Sequence, residues 1–154
     1  MKVKIDPGAF IPTRAHDTDA GLDLYSMEDK TLYPSGLKSL DPETYETYPL
    51  PFCATFDTGV HIAFDPGTYG RVEGRSGLNI KNSVVVVGSG IVDNGYRGSI
   101  KVKLYNLGTE PYSVHKGDRI AQLVIANYVC PQIEIVSHLD ETERGGCGFG
   151  STGK

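Results

Sequence analysis

Apolar and polar residues alternate along this chain in short runs broken by turns. In "TFDTGVHIAF", Phe56, Val60, Ile62 and Phe64 fall on alternate positions, the period of a strand with one buried face. "SIKVKLYNLG" sets Ile100, Val102 and Leu104 against Lys101, Lys103 and Tyr105 in the same way. "SVVVVG" is a continuous apolar run, the pattern of a buried strand. "VKI" opens the chain, "RIAQLVIANYV" follows the turn "HKGD", and "IEIVSHL" predicts a last strand. "DPGTYG" predicts a turn, and "GRSGLNIKN" holds a short helix at most. Nineteen glycines and nine prolines punctuate these runs. The expected fold is all-β: a sandwich, barrel or jelly roll, with no internal repeat and no second domain. Residues 27–52 are the least patterned and read as an exposed loop with an insertion.

Composition narrows this picture without changing it. At 154 residues, one domain is enough to bury a core. A net charge of -4 argues against a general nucleic-acid binder. No run approaches about eighteen apolar residues, so no membrane helix is expected, and "MKVKIDPGAF" lacks the apolar stretch of a secretory signal. Cys53, Cys130 and Cys147 are odd in number and far apart. They fit free thiols in a reducing cytoplasm rather than a disulfide framework or a zinc site.

Charge is unevenly placed. Residues 74–109 hold five basic side chains, Arg75, Lys81, Arg97, Lys101 and Lys103, and a single acidic one, Asp93. This is either the basic outer face of a sheet or a site for a small polyanion built around one carboxylate. Three motifs favour the site. "GRSGL" offers the Arg75 fork, the Ser76 hydroxyl and the backbone N–H groups of Ser76 and Gly77 to an anion, or it is an ordinary turn into a helix. "GSGIVDNGYRG" reads as a hairpin whose glycine-flanked arms leave a slot beside the backbone for a flat heterocycle, with Asp93 at the turn and Tyr96 beside it. The plainer reading makes Asp93 and Asn94 turn formers and Tyr96 packing. "GDRIAQL" places Arg119 and Gln122 at a strand.

The end of the chain, "RGGCGFGSTGK", has five glycines in eleven residues together with Arg144, Phe149, Ser151 and Thr152. A segment so rich in glycine does not hold a shape alone, and its ring and cations fit an arm that orders only on closing over something.

Taken in order, "DAGLDL", "GRSGL", "GSGIVDNGYRG", "GDRIAQL" and "RGGCGFGSTG" resemble the five motifs of the trimeric dUTPase family, the deoxyuridine triphosphate nucleotidohydrolases. The resemblance covers most of the chain. It implies a jelly-roll-like β domain over residues 1–143, a C-terminal arm over 144–154, and a homotrimer with shared active sites. It implies Mg²⁺-dependent hydrolysis of dUTP to dUMP and pyrophosphate, which keeps uracil out of DNA and supplies dUMP for thymidylate synthesis. Asp93 resembles the carboxylate that activates the attacking water. Asp23 resembles the one that holds magnesium through water. Arg75, Ser76, Gly77 and Gln122 resemble phosphate ligands. Gly90, Ile91, Val92 and the Lys101 backbone resemble the reader of uracil, and Tyr96 resembles the ring against deoxyribose. On the arm, Phe149 resembles the ring stacked on uracil, while Arg144, Gly150, Ser151 and Thr152 resemble its phosphate-side contacts. Gly74, Gly95 and Cys147 depart from the residues usual at those places in the family.

Two other readings remain from sequence. One is a nucleotide-dependent regulatory protein that meets a partner through residues 35–52. The other is a dCTP deaminase, whose chemistry needs a glutamate near the hairpin; after Asp93 the chain has none until Glu110. The expected location is the cytoplasm, or a host's cytoplasm for a phage or viral chain.

Overall fold

The computed structural model describes residues 1–44, 46–87 and 90–146. Its strands, in chain order, begin with β1 (Lys2–Ile5), β2 (Gly21–Tyr25), β3 (Lys30–Leu32), β4 (Lys38–Leu40) and β5 (Thr47–Pro49). They continue with β6 (Cys53–Asp57), β7 (Val60–Ala63) and β8 (Thr68–Glu73). After helix α1 (Ser76–Asn82) come β9 (Val84–Val86), β10 (Gly90–Val92), β11 (Lys101–Asn106), β12 (Tyr112–Val114) and β13 (Arg119–Asn127). All pairings are antiparallel.

Two sheets enclose the core. One has the order β10-β8-β13-β2 and the other β6-β11-β9. The first contributes Leu22, Leu24, Val72 and Leu123, and the second Phe56, Val84, Val102 and Leu104, to one cluster of buried side chains. The alternation that predicted β11 is realised: Val102 and Leu104 are buried while Lys101 and Lys103 are exposed. Among the described polar side chains that are buried, Ser26, Thr58 and Asn106 are fully so, and Asn106 has every hydrogen-bonding group engaged. Asn106 donates from Nδ2 to the carbonyls of Leu32 and Glu110 at 2.9 and 2.8 Å and accepts from the Gly108 N–H at 2.9 Å.

Four expectations need correcting. "TFDTGVHIAF" is two strands, β6 and β7, because the chain turns at Thr58–Gly59, where Gly59 has φ 63°. "SVVVVG" is not buried throughout: Val84 is buried, Val85 and Val86 are half-buried, and Val87 is exposed. Residues 27–52 are not a plain loop. They hold β3, which pairs with β12 and buries Leu32, and a separate β4–β5 hairpin. "IEIVSHL" forms no strand among the described residues. It pairs with no strand of the described residues, and Ile133, Ile135 and Leu139 are almost fully exposed.

Candidate functional site

The four-stranded sheet carries the first cluster on its outer face. Asp23 in β2 lies opposite Gln122 in β13, and Gln122 lies opposite Glu73 in β8. Side chains paired across an antiparallel sheet share a face, so these three form one polar rung behind the buried Leu22–Leu123–Val72 rung. Arg75 precedes α1 in extended conformation and reaches back to this rung. Its Nε donates to Asp23 Oδ1 at 2.9 Å, and its Nη1 donates to the Arg119 carbonyl at 3.2 Å. Arg119 Nη1 donates to the other Asp23 oxygen at 3.2 Å, so one largely buried carboxylate is held between two guanidinium groups. Gln122 Nε2 donates to the Gly74 carbonyl at 3.1 Å. A cavity of about 360 Å³ opens here, lined by Asp19, Asp23, Arg75, Ser76, Gly77 and Gln122 among others. Five of the residues expected at the phosphates and the metal, Asp23, Arg75, Ser76, Gly77 and Gln122, thus come together.

The second cluster lies past β10. Here the hairpin expectation is corrected: β10 pairs with β8, whereas β11 pairs with β6 and β9 in the other sheet, so the arms flanking "DNGY" do not pair with each other. The turn itself exists, closed by the Tyr96 N–H to the Asp93 carbonyl at 3.0 Å. Because the chain changes sheets there, a cleft of about 260 Å³ is left between the arms. Gly90, Ile91, Val92, Asp93, Tyr96 and Lys101 line it with Val72 and Ile100. Two glycines are required by close approach: a Cβ at Gly90 would press on the Val72 side chain, and one at Gly98 would overlap the Tyr96 ring. Tyr96 is fixed by its hydroxyl, which donates to the Ser99 carbonyl at 3.0 Å. The Asp93 carboxylate is exposed and has no hydrogen-bond or ion-pair partner among the described residues.

Lys101 presents its ammonium 3.8 Å from Asp57 Oδ2. Burial pushes the Asp57 carboxyl up, but the Ser99 hydroxyl, the Gly59 N–H and the Lys101 charge outweigh it and hold that carboxyl below its ordinary value. The basic surplus of residues 74–109 is therefore shared out. Arg75 faces a carboxylate, Arg97 donates to the carbonyls of Asn94 and Tyr96 at 2.6 and 2.7 Å, and Lys103 lies over the Tyr105 ring. Arg144 lies beyond both clusters' linings, and Phe149, Gly150, Ser151 and Thr152 lie outside the described residues.

Sequence reasoning missed three contributors. Arg119 completes the clamp on Asp23. Asn94 donates from Nδ2 to the carbonyls of Asp65 and Thr68 at 2.8 and 2.9 Å, pinning the Asp93 turn to the start of β8. Asp19 adds a second carboxylate to the lining of the first cavity. All three lie inside the quoted motifs, but their contributions depend on neighbours that the local sequence does not show: Asp23 for Arg119, the Asp65 and Thr68 carbonyls for Asn94, and the cavity wall for Asp19.

The dUTPase family model matches residues 8–153. The chain belongs to the dUTPase family. It is 44% identical over 152 residues to the deoxyuridine 5'-triphosphate nucleotidohydrolase of Rattus norvegicus, a match that takes in 99% of this chain and 66% of the rat protein. The Mycobacterium leprae protein of the same name is 43% identical, with 98% of this chain and 92% of the relative covered. Among solved structures, the Staphylococcus bacteriophage 80alpha dUTPase with dUPNHPP superposes with a TM-score of 0.78 at 29% identity, covering 99% of this chain and 98% of the other. The all-β fold described above is thus the dUTPase fold. Among the described residues no helix is long and apolar enough to cross a membrane.

Proposed function

We propose that this chain hydrolyses dUTP to dUMP and pyrophosphate. Asp93 is the observation that carries the reading: an exposed carboxylate with no partner among the described residues, at the mouth of a cleft walled by backbone and Tyr96. Such a group is free to accept a proton from water. The water attacks the α-phosphorus, the bond to the bridging oxygen breaks, pyrophosphate leaves, and Asp93 takes the water's proton. The edge of β10 offers uracil main-chain groups, and Tyr96 lies against the sugar.

The other cavity receives the phosphates. Arg75 supplies a fork of donors already aimed by Asp23, and Ser76 and Gly77 bring N–H groups that, at a helix start, have no intrahelical acceptor. Nothing lies within 4 Å of where a Cβ would stand on Gly77, so that side of the backbone is open to an approaching ligand.

The residues fit magnesium of one kind. Both Asp23 oxygens already accept from arginine, and among the described residues no three His, Cys, Asp or Glu side chains gather to hold a metal. A carboxylate oxygen has a second lone pair to offer a water, so the set suits a hydrated ion held chiefly by substrate phosphates. When bound, Mg²⁺ spreads the charge on those phosphates.

The working form is a homotrimer. The family resemblance implies that one substrate is read by the Asp93 cleft of one subunit and by Arg75, Ser76 and Gly77 of its neighbour, and the two cavities, which share no lining residue, are compatible with that division. A second copy also covers Val129, Ile133, Ile135 and Leu139, which are bare in a single chain. The arm with Arg144, Phe149, Gly150, Ser151 and Thr152 closes over the assembled site. Pyrophosphate release from dUTP, with the mass in solution measured alongside, tests the reading: no release from a trimer sinks the activity, and full activity from a monomer sinks the shared site.

A further inference from the structure

The Asp93 carboxylate has no partner among the described residues, so the backbone of its turn sets its place. Two outside ties hold that turn among the described residues. Asn94 fixes the near end to the Asp65 and Thr68 carbonyls. At the far end, the Arg97 carbonyl lies 2.8 Å from Nδ1 of His61 in β7. The same ring places Nε2 2.9 Å from Asp6 Oδ2. A carbonyl and a carboxylate are both acceptors only. Both contacts are hydrogen bonds only if both ring nitrogens carry hydrogen, that is, if His61 is an imidazolium. Either neutral tautomer turns a lone pair on one of its two acceptors.

We propose that His61, in its charged form, is a positioning residue for catalysis: it holds the Arg97 carbonyl, and through it the turn that carries Asp93 and Tyr96. The inference rests on the hydrolysis reading above. Arg97 transmits the tie, because its guanidinium donates to the Asn94 and Tyr96 carbonyls and makes the turn one closed unit. The charged groups facing the ring are Asp6 after β1, Lys4 opposite His61 in β1, and Lys2 and Arg97 around the same shallow cavity. Lys4 lies 3.4 Å from Asp6 and opposes protonation of His61. The direct bonds to Asp6 and to the Arg97 carbonyl outweigh it and hold the imidazole above its ordinary value. When His61 loses a proton and keeps the other on Nε2 for Asp6, the Arg97 carbonyl loses its donor, and the next tie on that side of the turn is the Ile100 N–H to the Val60 carbonyl at 2.9 Å.

Nuclear magnetic resonance of the full chain between about pH 5.5 and 9 reads the His61 ring and the amides of Asp93 and Tyr96 together. In the parent both ring nitrogens are protonated at pH 7, and the two amides move with the His61 midpoint. Asp6→Asn brings that midpoint down, and in His61→Gln, which keeps one donor for the Arg97 carbonyl, the amides stop moving. Turnover of dUTP by the parent falls at least about threefold as His61 deprotonates, with KM moved less than about twofold, while His61→Gln is flat over the same span. A neutral His61 at pH 7, amides that ignore its titration, or parallel rate profiles for parent and His61→Gln overturns the proposal. A chain that does not cleave dUTP at all overturns the function instead, and the ring and amide signals still decide whether His61 holds the turn.

Discussion

Arg75 donates from Nε to Asp23 at 2.9 Å, so the guanidinium that lines the phosphate cavity is aimed by a carboxylate in the same wall. Arg119 holds the opposite oxygen. Asp23→Asn keeps the size of the side chain and removes the charge that makes both bonds strong. The expected outcome is a KM for dUTP raised about tenfold, with a smaller change in kcat, since the loss falls on phosphate binding. Steady-state pyrophosphate release measures both constants. A KM within about twofold of the parent would mean that Asp23 does not aim Arg75.

This arrangement was only partly legible in the sequence. The strand β11 was readable because it buries one face, so polarity alternates along it, and β13 because its apolar run follows a clear turn signal. The rung of Asp23, Gln122 and Glu73 was not, because it depends on the register of β2, β13 and β8. The motifs named Asp23, Arg75 and Gln122 by resemblance, while the role of Arg119 came only from the fold. Around "DNGY" the turn was legible and the pairing was not. Local sequence does not show that β10 leaves for β8 while β11 leaves for β6, and that divergence is what opens the cleft. The strands of residues 27–52 were hidden by being three residues long and flanked by prolines. "IEIVSHL" has the period of a strand, yet a period cannot supply the edge a strand must pair with.

Asp93→Asn tests the base. The asparagine keeps the turn, because Asp93 joins it through its carbonyl and not its side chain. Turnover is expected to fall at least about 100-fold, the scale of a general base, while dUTP binding by calorimetry stays near the parent's. Turnover within about threefold of the parent would refute the assignment.

Asn106 tests the account of the core. Its side chain makes three hydrogen bonds among apolar neighbours, two of them to carbonyls of other loops and strands. With each bond contributing about 1 kcal/mol net, Asn106→Ala is expected to lower unfolding stability by about 3 kcal/mol. Urea denaturation reads the difference. A loss below about 1 kcal/mol would mean that water replaces these bonds readily.

The Asp6–His61 pair makes stability depend on pH in a definite direction. The His61 value is raised from 6.5, so its contribution is complete below that pH and is lost as pH rises through the folded value. The hydrogen bond from His61 lowers the Asp6 value from 3.8, so its contribution is present above that pH and is lost as pH falls through the folded value. The two overlap between 3.8 and 6.5. Thermal midpoints of the parent and Asp6→Asn should differ most inside that window and converge on either side. A gap that stays constant up to pH 9 would show that the pair is not what titrates.

The choice of sugar tests the role proposed for Tyr96. Its ring folds back over Gly98, where any Cβ would displace it, and its hydroxyl is tied to the Ser99 carbonyl at 3.0 Å. The ring is thereby held rigid at the wall of the cleft that contains Gly90 to Val92. A deoxyribose can lie against such a wall, whereas a ribose brings a 2′-hydroxyl that must lose its water against carbon and gain no partner. The parent should therefore favour dUTP over UTP by at least about 100-fold in kcat/KM, near the upper range for a steric and desolvating pocket. Gly98→Ala, by pushing the ring from its place, should narrow that ratio about tenfold or more while raising KM for dUTP. Tyr96→Phe keeps the ring and loses the tie to Ser99, and it should narrow the ratio less than Gly98→Ala does. Equal rates on dUTP and UTP in the parent would remove Tyr96 from the sugar site, and an unchanged ratio in Gly98→Ala would show that the position of the ring does not matter.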